Sequence, residues 1–324
     1  MDEDEITVGE AAPDQGALDH GTRETGDRRF GFVAIIGPTN AGKSTLVNRM
    51  VGAKVTIVSR KVQTTRAAIR GIFIEDASQV VLVDTPGIFE PRRRLDRAMV
   101  DAAWSGAGDA DLSLVLVDAQ KGLDDALRSI LDKLKASGKP RLLVMNKVDL
   151  VENKPDLLAT VAAITELLPF EEVHFISATA GEGVEGLRAD LASRVPEGPW
   201  LYEDDDISDL PMRMLAAEVL REKIYDRLHQ ELPYATTVET SDWRDMGKRG
   251  IRIEQTIYVQ RESQRAIVLG KKGQTIKAMS TEARIELTEM LARPVHLFTF
   301  VKVRENWSDD PERFREMGLD FPKS

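Results

Sequence analysis

One stretch constrains this chain more than any other: Gly37-Pro38-Thr39-Asn40-Ala41-Gly42-Lys43-Ser44, which fits the pattern Gly-x4-Gly-Lys-Ser. It follows an apolar run at residues 30–36 and opens a helical pattern, the strand-to-helix context in which such a loop wraps a phosphate. Glycines let successive backbone N–H groups turn inward, and the helix N-terminus behind them adds its positive end. Gly37, Asn40, Ala41, Gly42, Lys43, Ser44 and Thr45 are therefore expected to line phosphates. Lys43 would neutralise the β and γ groups, and the Ser44 hydroxyl would ligate Mg²⁺.

Such a loop needs a sheet behind it. Apolar runs at 67–74, 80–83, 112–117, 141–145 and 173–176 alternate with helical patterns such as 124–136 and 156–167. That alternation predicts an α/β domain with a mostly parallel sheet over residues 28–196. Residues 197–210 break the pattern with Pro196-Glu197-Gly198-Pro199 and the acidic run 203–206, and read as a linker. From 211 to 305 the order is α-β-β-α-α-β, a second domain of α+β type, followed by a C-terminal tail at 306–324. Two domains suit a chain of 324 residues. Residues 1–27 carry nine acids against one base and are expected to stay unfolded for lack of apolar surface to bury.

Three further motifs follow the strands in order. Asp84-Thr85-Pro86-Gly87 ends the third; Asp84 would hold Mg²⁺ through water, and the Gly87 N–H would meet the γ-phosphate. Asn146-Lys147-Val148-Asp149 decides the base. The Asp149 carboxylate accepts two hydrogen bonds from the N1–H and 2-amino group of guanine, donors that adenine lacks, so an ATPase is disfavoured. Asn146 would tie this loop to the phosphate loop, and the Lys147 stem would lie over the base. Ser177-Ala178 comes after the last strand, and the Ala178 N–H would reach guanine O6. GTP or GDP is thus the expected nucleotide. Gln63-Thr64-Thr65-Arg66 occupies the place where a switch threonine ligates Mg²⁺ only while GTP is present; Thr65 is the first choice and Thr64 the second. Ile88 stands where Ras-type GTPases keep a water-orienting Gln, so unaided turnover is expected to be slow. Help has to come from elsewhere, and the Asn40 side-chain carbonyl is a candidate to coordinate a monovalent cation such as K⁺. Lys43, Thr65, Gly87 and Asn40 are the expected catalytic set; Ser44, Thr65 and Asp84 are the expected metal ligands.

In the second domain, Gly270-Lys271-Lys272-Gly273 lies between two helical patterns inside a β-α-α-β run, flanked by apolar Ile267, Val268 and Ile276. This resembles the core of a KH domain, a module whose Gly-x-x-Gly loop clamps the backbone of single-stranded nucleic acid. From Arg244 to Lys277 there are nine bases and three acids, although the whole chain carries a net charge of −10. A local basic face inside an acidic protein argues for a defined RNA site rather than general coating. There is no cysteine, which fits a reducing compartment. The N-terminus lacks the basic and apolar regions of a signal peptide, and no apolar run approaches the roughly 20 residues of a membrane helix. A soluble, intracellular protein is expected.

Taken together, residues 37–44, 63–66, 84–87, 146–149, 177–178 and 270–273 resemble the Era family of bacterial GTPases, as do Val295-His296-Leu297 and Trp307-Ser308-Asp309-Asp310. The resemblance runs from about Arg28 to Asp320. It implies a type II KH fold, binding to the 3′ region of 16S rRNA and a role in assembly of the small ribosomal subunit. It also implies a cytoplasmic protein with peripheral association at the inner membrane; a monomer is expected. The competing expectation is a signalling GTPase whose second domain docks a protein or membrane.

Overall fold

The central strands of the first domain are continuous apolar runs whose successive side chains point to opposite faces, so the sheet is buried on both. The computed structural model describes residues 28–322 apart from 60, 62, 63, 67, 90 and 92. The acidic extension and Gln63 lie outside the described residues. In strand β1 (Arg29–Ile36), Val33 and Ile35 point to one side, with helices α1 (Lys43–Val51) and α5 (Val184–Arg194). Ala34 and Ile36 point to the other, with α2 (Arg94–Asp109), α3 (Asp125–Leu134) and α4 (Lys154–Leu167). The same division runs through β4 (Leu112–Asp118) and β5 (Arg141–Asn146): Leu114 and Val144 face the first layer, Val115 and Met145 the second.

With β2 (Ile69–Glu75), β3 (Ser78–Asp84) and β6 (Glu172–Ile176) the sheet has the order β2-β3-β1-β4-β5-β6. All neighbours are parallel except β2 and β3. The chain leaves β1 toward β3 on one side and β4 on the other, so the crevice outside the C-terminal end of β1 is a topological switch point, where α/β folds bind ligands.

Residues 197–210 lie along the first domain. Trp200 Nε1 donates to Ala77 O at 3.0 Å, Gln79 exchanges hydrogen bonds with Leu201 and Tyr202, and Ser208 bridges Gly71 at the outer edge of β2.

The second domain begins with α6 (Met212–Arg227). Its sheet has the order β7-β8-β9, from β7 (Thr236–Asp245), β8 (Ile251–Val259) and β9 (Val295–Val303), with β8 antiparallel to β7 and parallel to β9. The parallel pair needs a crossover, and α7 (Glu262–Leu269) and α8 (Gln274–Met290) supply it. Val219, Leu220 and Ile224 of α6, Val268 of α7 and Met279, Ala283 and Leu287 of α8 bury the inner face of β8.

The expected tail is folded as far as it is described. Trp307, Phe314 and Leu319, around α9 (Pro311–Glu316), pack on Leu95, Ala98 and Met99 of α2, so the end of the chain returns to the first domain. Among the described residues no helix is long and apolar enough to cross a membrane.

Candidate nucleotide site and RNA loop

β1 ends at Ile36, and residues 37–42 turn the chain into α1 at the switch point. Gly42 has φ 99°, and a Cβ there would stand 2.3 Å from Asn146 Nδ2, so both conformation and contact require glycine. Lys43 is only 7% exposed; its Nζ donates to Gly37 O at 3.1 Å and Pro38 O at 3.0 Å, at the mouth of the loop. Burial pushes its pKa down to about 8, opposed by the charge of Asp84. An open cleft lies here, lined by Thr39, Asn40, Ser44, Thr45, Thr65 and Gly87 among others.

The three expected metal ligands converge. Ser44 Oγ lies 2.8 Å from Asp84 Oδ2 and 3.0 Å from Thr65 Oγ1, and Thr65 Oγ1 is 3.4 Å from the same carboxylate oxygen. Both switch threonines line the cleft; the Thr65 hydroxyl meets Ser44 and Asp84, and the Thr64 carbonyl accepts from Arg221. Asp84 is fully buried, and its Oδ1 has no hydrogen-bond partner among the described residues. Burial pushes its carboxyl pKa up, opposed by Lys43 and by the hydroxyls of Ser44, Thr56 and Thr65. Two hydroxyls and a carboxylate with an unused oxygen form a hard-oxygen donor set that fits Mg²⁺, a cation that favours one or two carboxylates and retained water.

Gly87 lies against the phosphate loop, where an added Cβ would meet Thr39 Cγ2 at 2.8 Å and Lys43 Nζ at 3.4 Å. Ile88 is 8% exposed and joins the core beside Ala34 and Ile36. Its apolar side chain is accounted for by packing, and it does not face the cleft.

Asn146 links three segments: Nδ2 donates to Ala41 O at 2.8 Å, and Oδ1 accepts from Ala178 N at 3.0 Å. The Ala178 N–H, expected to reach guanine O6, therefore has a protein acceptor here. Ser177 is buried, and its Oγ accepts from Ala180 N, which shapes the same turn. Lys147 has φ 65° and spans from the loop to β4, with Nζ 2.8 Å from Asn40 O and 2.6 Å from Asp118 Oδ2. Asp149 is exposed beside it, on a short 3-10 turn. Asn40 has φ 63° and is exposed at the loop tip.

Sequence reasoning missed three residues. Thr56 donates to Asp84 Oδ2 at 3.0 Å, and its backbone is fixed by Asn48, whose Oδ1 accepts from Val55 N and Thr56 N. Asp118 anchors Lys147. A lone hydroxyl inside the apolar run Val55-Thr56-Ile57-Val58, and an acid ending an all-apolar strand, were the available signals.

In the second domain, Gly270 ends α7 with φ 72°, and a Cβ there would stand 2.1 Å from Thr275 Oγ1. Lys271 and Lys272 are exposed, Lys272 with φ 51°, and Gly273 opens α8 with no atom within 4 Å of the place a Cβ would take. The loop thus offers two cations and bare backbone. Of the nine bases counted around it, Arg244, Arg252 and Arg265 are engaged in ion pairs with Asp242, Glu254 and Glu262.

Comparison with known proteins agrees with this geometry. Residues 32–147 match the family model described as 50S ribosome-binding GTPase, and residues 231–308 match the KH domain model. The chain is 62% identical to GTPase Era of Sinorhizobium medicae over 91% of its length and 95% of that protein. It is 58% identical to GTPase Era of Brucella suis over 93% and 97%. A solved structure of Aquifex aeolicus Era with GDP and AlF4⁻ superposes with a TM-score of 0.85 at 36% identity, covering 90% of this chain and 99% of that one. An Era structure with MgGDPNP and nucleotides 1506–1542 of 16S ribosomal RNA gives the same values. A phosphate-loop domain with a guanine-type base loop, joined to a KH domain and matched over nearly its whole described length, makes this chain a member of the GTPase Era family.

Proposed function

We propose that this GTPase works as a Mg²⁺-dependent switch that holds the 3′ region of 16S rRNA and acts in assembly of the small ribosomal subunit. One observation carries the switch reading: Ser44, Thr65 and Asp84 meet beside Lys43, while the chain around Thr65 is gripped by the KH domain. Bound Mg²⁺ would neutralise phosphate charge at those oxygens. Lys43 and the loop amides hold the phosphates, Gly87 meets the γ-phosphate, and Asn146, Lys147 and Asp149 frame the base, with Ser177 and Ala178 completing its wall. The RNA assignment is supported by the exposed Lys271 and Lys272 of the loop at 270–273 and by the 16S fragment in the related Era structure. The family model that names the large subunit spans the first domain alone, so it does not weigh against this choice.

The division into a GTPase domain at 28–196, a linker at 197–210, a KH domain at 211–305 and a tail at 306–324 belongs to the same proposal. So do K⁺ stimulation through Asn40, a monomeric state and a cytoplasmic location with peripheral contact at the inner membrane, the last of these resting on family resemblance.

Replacing Asp149 by Asn tests the base assignment. An amide donates where xanthine carries a carbonyl, so preference should move from guanine to xanthine nucleotides; undiminished GTP affinity would refute it. RNA affinity measured with a non-hydrolysable GTP analogue and with GDP tests the switch. Tighter binding with the analogue is expected, and linkage requires RNA to favour GTP over GDP by the same factor. Equal affinities would make the KH domain a plain anchor. A signalling GTPase with no RNA ligand would show no salt-dependent RNA binding at all.

A further inference from the structure

Both neighbours of Thr65 are held by the second domain. On one side the Thr64 carbonyl accepts from Arg221 Nη2, and the Arg221 guanidinium is itself buried and paired with Glu218. On the other side the Arg66 side chain leaves the first domain altogether. Its Nη1 donates to Thr236 O at 2.9 Å; its Nη2 lies 3.4 Å from Tyr234 O and 3.5 Å from Tyr225 Oη. Its guanidinium stands 5.4 Å from the ring centroid of Trp307, which is buried and fixed by Nε1 donating to Ala235 O at 3.1 Å.

The socket is an expensive one. Arg66 is only 6% exposed, and its hydrogen-bond acceptors are two carbonyls and a phenol rather than a carboxylate. Burial disfavours its charged form more than any other influence. A buried cation with neutral acceptors is a weak source of stability and a strong means of fixing a position, because a guanidinium fork tolerates little displacement. Consecutive Cα atoms are about 3.8 Å apart, so a shift of Arg66 passes directly to Thr65.

We propose that Arg66 is the positioning residue for Thr65: seated between Thr236, Tyr234 and Trp307, it fixes the backbone so that the Thr65 hydroxyl stays against Ser44 and Asp84. Completion of the metal site in one domain then depends on a side chain gripped by the other. The proposal rests on Thr65 being a Mg²⁺ ligand, and its test separates the two claims.

The test uses the full chain and measures the Mg²⁺ concentration giving half-maximal GTP turnover, with nucleotide affinity in EDTA and melting temperature alongside. Arg66→Ala is expected to raise the Mg²⁺ requirement by about tenfold, the scale of one lost charged hydrogen bond, and to leave affinity in EDTA unchanged. Thr65→Ala should raise it similarly, and the double variant should add nothing further, since coupled residues are non-additive. If Thr65→Ala raises the requirement and Arg66→Ala only lowers the melting temperature, Arg66 merely packs the domains and the proposal is overturned while the ligand reading stands. If Thr65→Ala leaves it unchanged, the ligand reading fails and the proposal with it. Should Arg66→Ala not fold, Arg66→Lys keeps the charge but not the fork. A few-fold rise is expected there, and an unchanged requirement in that folded variant overturns the proposal equally.

Discussion

Two glycine-bounded loops carry the chemistry of this molecule, and they are built in opposite ways. In residues 37–44 the glycines are hemmed in: a Cβ on Gly37 would lie 2.4 Å from Leu116 O, and one on Gly42 2.3 Å from Asn146 Nδ2. The lysine of that loop is buried against its own carbonyls. In residues 270–273 Gly270 is similarly confined, but Gly273 faces open space and both lysines are exposed. The first loop is a preformed cradle for one compact anion. The second is an open clamp for a polymer whose phosphates arrive in succession. A charge held at low dielectric acts strongly and is little screened, whereas an exposed charge acts weakly and is screened by salt.

That contrast ranks the expected effects of substitution. The largest is Lys43→Ala. Two or more charged hydrogen bonds to phosphate should be lost, weakening GTP binding by at least about a hundredfold with little dependence on salt. RNA binding measured without nucleotide should survive. A variant that still turned over GTP normally would break the cradle reading. Next comes Gly273→Asp, which places a carboxylate and a strained left-handed residue where the RNA backbone approaches; RNA affinity should fall at least about tenfold while nucleotide affinity without RNA is kept. A loss of nucleotide binding as well would show that the loops are not separable. Smaller still are Lys271→Ala and Lys272→Ala. Each should weaken binding a few-fold for every RNA sequence tried and reduce the slope of log affinity against log salt by about 0.7. If one of them changes sequence preference instead, that lysine reads a base. The smallest is Asn40→Ala: turnover should be faster in K⁺ than in Na⁺ for the parent and equal for the variant. Identical parental rates in the two salts would dismiss the monovalent cation.

The cradle was legible in the sequence because its parts are contiguous. Each motif sits at a strand end, so the α/β alternation predicts both its place and its neighbours, and Asn146 bridges the loops as expected. What escaped depends on contacts between distant positions. Arg66 belongs to a recognisable motif, but its acceptor Thr236 lies 170 residues away in sequence, and no local pattern announces the pairing. Thr56 looks like an interruption of an apolar run until Asp84 is placed beside it. Ile88 was read by what it lacks, a water-orienting amide; its position in the core explains what it contributes. The residues after 305 show no strong periodicity, and only the apolar face of α2 gives Trp307, Phe314 and Leu319 somewhere to go.

The path of residues 207–208 has a consequence for how the halves of this chain can be separated. β2 is the outermost strand of its sheet, and the exiting chain pairs with it: Ile72 N donates to Ile207 O at 2.9 Å and Ser208 Oγ to Arg70 O at 2.8 Å. Unpaired strand edges template self-association. A fragment cut at residue 196, where the α/β pattern ends, would keep every nucleotide motif and still expose that edge. Solubility of an isolated first domain should therefore depend on carrying about a dozen residues that belong to no element of the domain they protect.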